Sequence, residues 1–418
     1  MINKNSIIAV ESSIIKNNFI KPMYESYCFS NIPGTIMKNF GINNNRTLPN
    51  DIFGNIDQKN KKIVFLFLDA FGWNFLNENK EKIPFLNELV ENGVLSKLTS
   101  QFPSTTSAHV TTAYSSLQVG ESGVYEWNYY DPTADEVITP LLNALALDWD
   151  TKLIDLGIPS DKLYPNKNIF IELKKMGVTS RIFQSVETST GAYSDFMLKG
   201  AIKEPYESLE DGLENLMNCI NSNEKGYYFF YYSNIDHTAH KYGPKSEEVK
   251  EVIKNFFKVL EGYFKQIKEN NETLFLFTAD HGMANIDLET PYYLNLEIPE
   301  LNNYTEVNKK GKPIIRCGSY RDVFLYIKDE NLEEVYDLLK EKLSNTAEVF
   351  KTSDMIKEKF FGNVSERFLE RVGNIVILPY ENKSVWWYEE GKFSIELPGM
   401  HGGLSKEEME IPLLLYKK

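Results

Sequence analysis

The sequence predicts an α/β protein, a three-layer α/β/α sandwich around a largely parallel central sheet with a smaller α+β cap inserted into it. Three observations carry that expectation. Short, wholly apolar runs recur along the chain, as in strands buried on both faces of a parallel sheet. Segments of helical period lie between them, which is the alternation of a sheet covered on both sides. A polar tract followed by a mixed strand and helix region then interrupts the pattern late in the chain. With 418 residues, 42% of them hydrophobic, the chain can fill one large core of this kind.

The elements follow in chain order. The stretch GINNNRTLPND (41–51) reads as a loop ahead of the first strong strand, IVFLFL (63–68). Leu209, Leu213, Leu216, Met217 and Ile220 mark a helix face leading into the strand YYFFYY (227–232). Ser246 is placed as an N-cap, with Glu247 and Glu248 in the first turn where the helix dipole favours acids. Beyond it Val249, Val252, Ile253, Phe256, Phe257, Leu260, Tyr263, Phe264 and Ile267 recur at intervals of three and four, as a packing helix requires. The strand LFLF (274–277) comes next. After the polar tract LNNYTEVNKKGKP (301–313) come DVFLYI (322–327), a helix over about 331–344, NIVILPY (374–380) and VWWY (385–388). PLLLY (412–416) closes the chain as another buried strand. Residues 291–392 therefore read as an inserted cap, and residues 1–290 with 393–418 as the main domain.

Composition narrows the partners. With 45 basic against 59 acidic residues the net charge is −14, so a polymeric nucleic acid is not expected as ligand. A small anionic substrate would need local positive charge, which bound metal supplies. Cys28, Cys219 and Cys317 are odd in number and far apart, which suggests free thiols rather than a disulfide framework or a thiolate zinc site. No apolar run reaches membrane-spanning length and the N-terminus lacks a sustained apolar segment, so the expectation is a cytoplasmic protein with no membrane partner.

The chemistry sits where strands end. IVFLFL is followed by Asp69, YYFFYYSNI by Asp236, and LFLF by Asp280 and His281. Ligands of open α/β sheets bind beyond the carboxyl ends of the strands, so these acids can converge although they are distant in sequence. Of the five histidines, His240 lies four residues after Asp236, His281 adjoins Asp280, and His401 sits in GMHGG. His109 reads as a helix or packing residue and His237 as exposed. Imidazole nitrogen with carboxylate oxygen suits zinc, with manganese the alternative, and three Asp with three His suffice for two ions. The segment FPSTTSAHVTTAYSS (102–116) turns from proline and small hydroxyl residues into a helix-compatible run, seating a hydroxyl near free N–H groups. Taken singly, that segment also reads as an ordinary Ser/Thr cap.

As an ordered set, Asp69, FPSTT, DHTAHKYGP, ADHG and MHGG resemble the alkaline phosphatase superfamily, and within it the type I phosphodiesterase or nucleotide pyrophosphatase branch. The resemblance runs from about residue 61 to His401. It implies an alkaline phosphatase-like fold and two divalent ions, one on Asp236, His240 and His401, the other on Asp69, Asp280, His281 and the nucleophile hydroxyl. It places the nucleophile three residues after Pro103, at Thr106, with the adjacent Thr105 in reserve, and implies a phosphoryl-threonine intermediate. Asn128, in EWNYYDP, resembles a family asparagine that binds a phosphate oxygen, although the family spacing falls on Trp127. Ala70 stands where the family commonly has glycine, and Tyr114 to Ser116 replace a Thr-Gly turn.

The implied substrate is a small phosphorylated molecule, a nucleotide among the candidates, cleaved at a phosphodiester or pyrophosphate bond. A phosphomonoesterase or phosphonate hydrolase of the same superfamily is the alternative reading, and a non-catalytic metal- or ligand-binding module on this fold is the alternative of another class. The motifs a sulfatase or a cofactor-independent phosphoglycerate mutase would need are absent. Diesters are expected over monoesters, because the motif segments hold no arginine and no further acidic triad. Trp73, Phe102 and Trp127 are the rings nearest the site in sequence, while Arg181, Arg316 and Arg321 are the cations that could enter it from elsewhere.

Overall fold

The computed structural model describes residues 1–222, 224–268 and 272–418. Its central sheet has seven strands: β1 (Lys62–Leu68), β2 (Val94–Thr99), β3 (Thr179–Ser185), β4 (Ile202–Tyr206), β5 (Gly226–Tyr232), β6 (Thr273–Thr278) and β7 (Glu410–Lys417). They lie in the order β2, β7, β6, β1, β5, β3, β4. β1 pairs in parallel with β6 and with β5, and β3 in parallel with β5 and β4. The architecture is the α/β sandwich with a mostly parallel sheet and inserted antiparallel sheets that the sequence predicts. All residues of β1, β5 and β6 are buried, which is why these strands read as unbroken apolar runs rather than as alternations.

The last strand departs from the rule. β7 is antiparallel to both neighbours, β6 and β2. Its amino end therefore lies at the same edge of the sheet as the carboxyl ends of the parallel strands, and the loop before Glu410 opens onto that edge. Tyr232 is level with Leu68, Thr278 with Phe67, and Glu410 with Thr99, so five strands reach this edge.

Four helices concern the site or support it: α1 (Thr106–Ser115), α2 (Leu209–Ile220), α3 (Asn234–Tyr242) and α4 (Glu247–Phe264). The Ser246 side chain caps α4 by accepting from the Val249 N–H at 3.3 Å, and Val249, Ile253, Phe256, Phe257, Leu260 and Phe264 face inward. Val252 and Tyr263 are half-buried, while Ile267 is buried just past the helix end.

Two smaller four-stranded sheets are added. Residues 129–152 form an antiparallel meander of four short strands that the periodicity did not announce, because its strands run from two to five residues. Within residues 291–392, strands Cys317–Ser319, Asp322–Leu325, Ile375–Pro379 and Ala347–Lys351 form a second antiparallel sheet, with the helix Leu332–Lys342 beside it. Alternation in these strands is plain: Val323, Leu325, Ile375 and Ile377 belong to a separate apolar cluster with Val335 and Leu339. Phe324, Tyr326, Val376 and Leu378 join the main core. Cys28 and Cys317 are buried free thiols and Cys219 is half-buried. No helix among the described residues is long and apolar enough to cross a membrane.

Candidate active site

The strand ends deliver their acids to one place. Asp69 follows β1 directly, Asp280 and His281 follow the end of β6 by two and three residues, and Asp236 and His240 lie one turn apart on α3, which starts just after β5. Because β7 runs backwards, His401 reaches the same edge from the loop that precedes it. Ligand-type atoms of Asp236, His240 and His401 lie within 4.8 Å of one another, and so do those of Asp69, Asp236 and His281. Asp236 is thus common to both groups. Asp280 approaches the His281 imidazole, Oδ2 to Nε2 at 3.2 Å, and its Oδ1 accepts from the N–H groups of Ala70 and His281 at 3.1 and 2.9 Å.

Each histidine is oriented by a carbonyl. The Nδ1–H of His240 donates to Gly399 O at 2.9 Å, that of His281 to Gly282 O at 3.0 Å, and that of His401 to Ser104 O at 2.8 Å. All three rings therefore turn Nε2 inward, the arrangement a ligating imidazole needs. There Nε2 of His240 and of His401 meet Asp236 Oδ1 at 3.3 and 3.7 Å, and Nε2 of His281 meets Asp69 Oδ1 at 3.6 Å. The His281 and His401 rings stack at 3.6 Å. A lone pair set against a carboxylate oxygen at these distances is repulsive without positive charge between them.

Burial sharpens the same point. Asp236 Oδ1 and Asp280 Oδ2 are buried without a hydrogen-bond donor. Burial and then the charges of Asp280 and Asp236 push the Asp69 carboxyl well above the ordinary carboxylate range. Burial followed by the neighbouring His281 and His240 pushes His401 well below the ordinary imidazole value, so that ring stays neutral. Burial opposes the charge of His281, but the Asp280 carboxylate beside it outweighs this and raises its pKa. Three carboxyl groups and three inward-turned imidazole nitrogens gather here, so the donor set fits divalent cations by both charge and chemistry.

Thr106 is the first residue of α1 and its Oγ1 enters this group, 3.4 and 3.5 Å from the Asp69 oxygens and 3.3 Å from His281 Nε2. Thr105, the N-cap, turns its hydroxyl instead toward Glu126. Adjacent residues at a helix start point about 100° apart, which is why one of the two hydroxyls faces the acids and the other does not. His109 packs within α1: it is fully buried, its Nδ1–H donates to Thr105 O at 2.7 Å, and burial lowers its pKa to about 4. His237 is exposed.

Other sequence candidates are placed differently. Asn128 accepts from the Thr139 hydroxyl at 2.6 Å through Oδ1, and its carbonyl accepts from the Gly318 N–H, which ties it to the 129–152 meander and the 317–325 hairpin. Phe102 and Trp73 are core residues, Trp73 lying under the Lys97 ammonium, and of the three expected rings Trp127 alone remains half-exposed. Arg181 pairs with Glu204, Arg316 with Glu389 and Arg321 with Glu408, so each is held by another carboxylate.

Residues that periodicity and motif reading passed over also contribute. The Tyr231 hydroxyl, at the end of β5, donates to Asp69 Oδ2. Ser104 receives His401 through its carbonyl, while its hydroxyl accepts from Gly402 N–H at 3.1 Å and donates to Gly403 O at 2.8 Å. A tyrosine hydroxyl near the carboxyl end of YYFFYY was the available signal for the first; a serine inside a motif known for its threonine hid the second. Backbone geometry explains the local sequence. Ala70 has φ +60°, the left-handed region in which glycine costs least, and Ser116 ends α1 at φ +56°. These are the positions of the two departures, Ala70 and the Tyr114–Ser116 turn. At Gly282 a Cβ would lie 2.0 Å from Glu407 O, so only glycine lets the Asp280–His281 turn pack against the short helix Lys406–Met409 that leads into β7.

The chain has relatives. The profile of a family described as type I phosphodiesterase / nucleotide pyrophosphatase matches residues 63–404. Ectonucleotide pyrophosphatase/phosphodiesterase family member 7 of Rattus norvegicus is 22% identical over 324 residues, covering 73% of this chain and 67% of the relative. Among solved structures, murine ectonucleotide pyrophosphatase/phosphodiesterase 5, as an inactive threonine-to-alanine variant in complex with AMP, superposes with TM-score 0.64 at 20% identity over 85% of this chain and 88% of that one. Phosphonoacetate hydrolase of Sinorhizobium meliloti 1021, in complex with phosphonoacetate, gives 0.60 at 16% identity over 84% and 89%. At these identities the two structures speak for the fold.

Proposed function

The chain belongs to the type I phosphodiesterase / nucleotide pyrophosphatase family of the alkaline phosphatase superfamily, whose members are metal-dependent hydrolases, and from that premise we propose that it cleaves phosphodiester or nucleotide pyrophosphate bonds with Thr106 as nucleophile. Asp236, His240 and His401 would hold one divalent ion, and Asp69, Asp280, His281 and the Thr106 hydroxyl the other, with Asp236 in reach of both groups. Zinc suits this mixture of imidazole and carboxylate, and manganese is the alternative. Bound there, the ions would supply Lewis-acid charge that favours the Thr106 alkoxide and offsets charge gathering on the phosphoryl oxygens.

The rest follows from the chain's own groups. Thr106 Oγ1 forms a bond to phosphorus as the ester or anhydride oxygen departs, and water then splits the phosphoryl-threonine. From the first position of α1, the nucleophile presents the phosphoryl group to the unpaired N–H groups and the positive end of the helix dipole. Tyr231 and the N–H of Ala70 fix the Asp69 and Asp280 carboxylates, so little reorganisation is required of them.

The carrying observation is the position of Thr106 Oγ1 among Asp69 and His281 while Thr105 turns away. Preference for diesters over monoesters is supported by the pairing of Arg181, Arg316 and Arg321 away from the site, since a monoester dianion calls for an added cation. The test compares kcat/KM for a nitrophenyl phosphodiester, a dinucleoside pyrophosphate and nitrophenyl phosphate, with zinc and manganese each supplied to metal-free protein. A ratio favouring the monoester refutes the diesterase reading. Hydrolysis that survives Thr106→Ala refutes the nucleophile.

A further inference from the structure

A second acidic feature lies behind the nucleophile turn and takes no part in the chemistry above. Glu126 and Asp322 are both fully enclosed, one leading into the 129–152 meander and the other starting a strand of the 317–325 hairpin. Their carboxyl groups meet each other. The guanidinium of the adjoining Arg321 is committed to Glu408 at 3.1 and 2.8 Å and to the carbonyls of Tyr380 and Lys383. Two carboxylates in contact inside a protein without a cation are strongly unfavourable. One proton between them removes the repulsion and makes a charge-assisted hydrogen bond.

What the pair touches gives it a role. On one side Glu126 accepts from the Thr105 hydroxyl and the Trp127 N–H, so it holds the residue next to Thr106. On the other, Asp322 Oδ1 accepts from the Ser319 N–H at 3.1 Å and from the Ser319 hydroxyl at 2.6 Å, and that hydroxyl also lies 3.0 Å from His401 O. A Cβ on Gly402 would come within 2.4 Å of Asp322 Oδ1, so the loop carrying His401 rests directly on this carboxyl. Asp322 Oδ2, by contrast, is buried and receives no N–H or O–H donor.

Building on the proposed function, we propose that Glu126 and Asp322 share one proton and act together as positioning residues, coupling the Thr105–Thr106 turn to the His401 loop so that nucleophile and rim ligand are set in register. The placement of both carboxyls carries this, and burial that pushes Glu126 up to about 7 and Asp322 well above the carboxylate range agrees with it.

The coupling is tested in the full chain by four variants, Glu126→Gln, Asp322→Asn, Glu126→Leu and Asp322→Leu. Each is read for zinc affinity and stoichiometry by competition with a chromogenic chelator, and for kcat and KM on a nitrophenyl phosphodiester. An amide can donate where the shared proton did, so Glu126→Gln and Asp322→Asn should stay within about threefold of wild type in both readouts, while the leucine variants weaken zinc binding or kcat by about 10- to 100-fold with KM little changed. Amide variants as damaged as the leucine ones overturn the shared proton, as does a third zinc or magnesium equivalent in wild type that Asp322→Asn abolishes. Leucine variants with wild-type zinc affinity and kcat overturn the coupling. If the leucine variants fail to fold, Glu126→Ala and Asp322→Ala take their place, and wild-type zinc affinity and kcat in both overturn the coupling. A wild-type protein that binds two zinc ions but spares the diester refutes the proposed function alone, because the affinity readout then still tests the coupling.

Discussion

The two ligand groups share Asp236 and little else. Asp69, His281 and the adjoining Asp280 grow straight out of β1 and β6, are buried, and take their orientation from backbone groups and Tyr231. His240 and His401 lie at the rim, the first on α3 and half-exposed, the second on a loop. That loop is held by Ser104 on one side and by Ser319, Asp322 and, through Glu408, Arg321 on the other. The inner group is fixed by sheet register. The His401 loop of the rim group is held in part by side chains from residues 291–392, so loss of that support should be felt at the rim first.

The largest expected effect separates catalysis from both groups. Thr106→Ala should lower diester turnover by about a thousandfold or more while both ions still bind, because its neighbours supply the other ligands. Thr105→Ala should cost far less. Metal analysis beside the kinetics checks this, and loss of an ion in Thr106→Ala would merge what the comparison holds apart.

Next in size, Arg321→Met removes the cation from a fully buried pair with Glu408 and strands that carboxylate, which should destabilise the fold by about 3–5 kcal/mol in chemical denaturation. Glu408 also accepts from Gly403 N–H at 2.9 Å, so the variant's rim ion should leave at lower chelator concentration than its inner ion.

A pH series sharpens the contrast further. Burial raises Glu126 from 4.5 to about 7, so the folded state prefers the protonated carboxyl. Its stabilising effect is complete below about pH 4.5 and is lost as pH rises to 7, a change of at most about 3 kcal/mol. In urea titrations at pH 5 and 7, wild type should lose more stability over that interval than Glu126→Gln, and equal losses would remove Glu126 from the pH dependence.

The smallest effect compares the groups directly. Chelator titration of wild type should release the two ions in separate steps, about tenfold or more apart, with the second step lost in His281→Ala and the first in His401→Ala. A single merged step in all three proteins would mean the groups do not differ.

Much of this was legible in the sequence for identifiable reasons. Strands buried on both faces leave unbroken apolar runs, so β1, β5 and β6 could be read, together with the acids that end them. β2, VLSKLT, carries a serine and a lysine although every residue in it is buried, and its period is neither apolar nor alternating. It went unread for that reason, as did β3 and β4 near the sheet edge, whose residues are only partly buried. The direction of β7 could not be read, since apolar runs look alike in either direction. Glu126, Asp322, Ser104 and Tyr231 were hidden because contacts between distant segments leave no periodic trace. Trp73 and Phe102, near the site in sequence, are buried in the core, as large rings beside a site are more often its foundation than its wall.

The reversed strand also sets the order of events during synthesis. β7 sits between β6 and β2 and bonds to both, so until the ribosome has released residues 410–417 each of those strands keeps an open apolar edge. His401 emerges only shortly before. Once His281 has emerged the nascent chain therefore carries every other ligand of the centre yet cannot close it until His401 and β7 follow, and a chain stopped at Ser405 should be found in the insoluble fraction while the 418-residue chain is not.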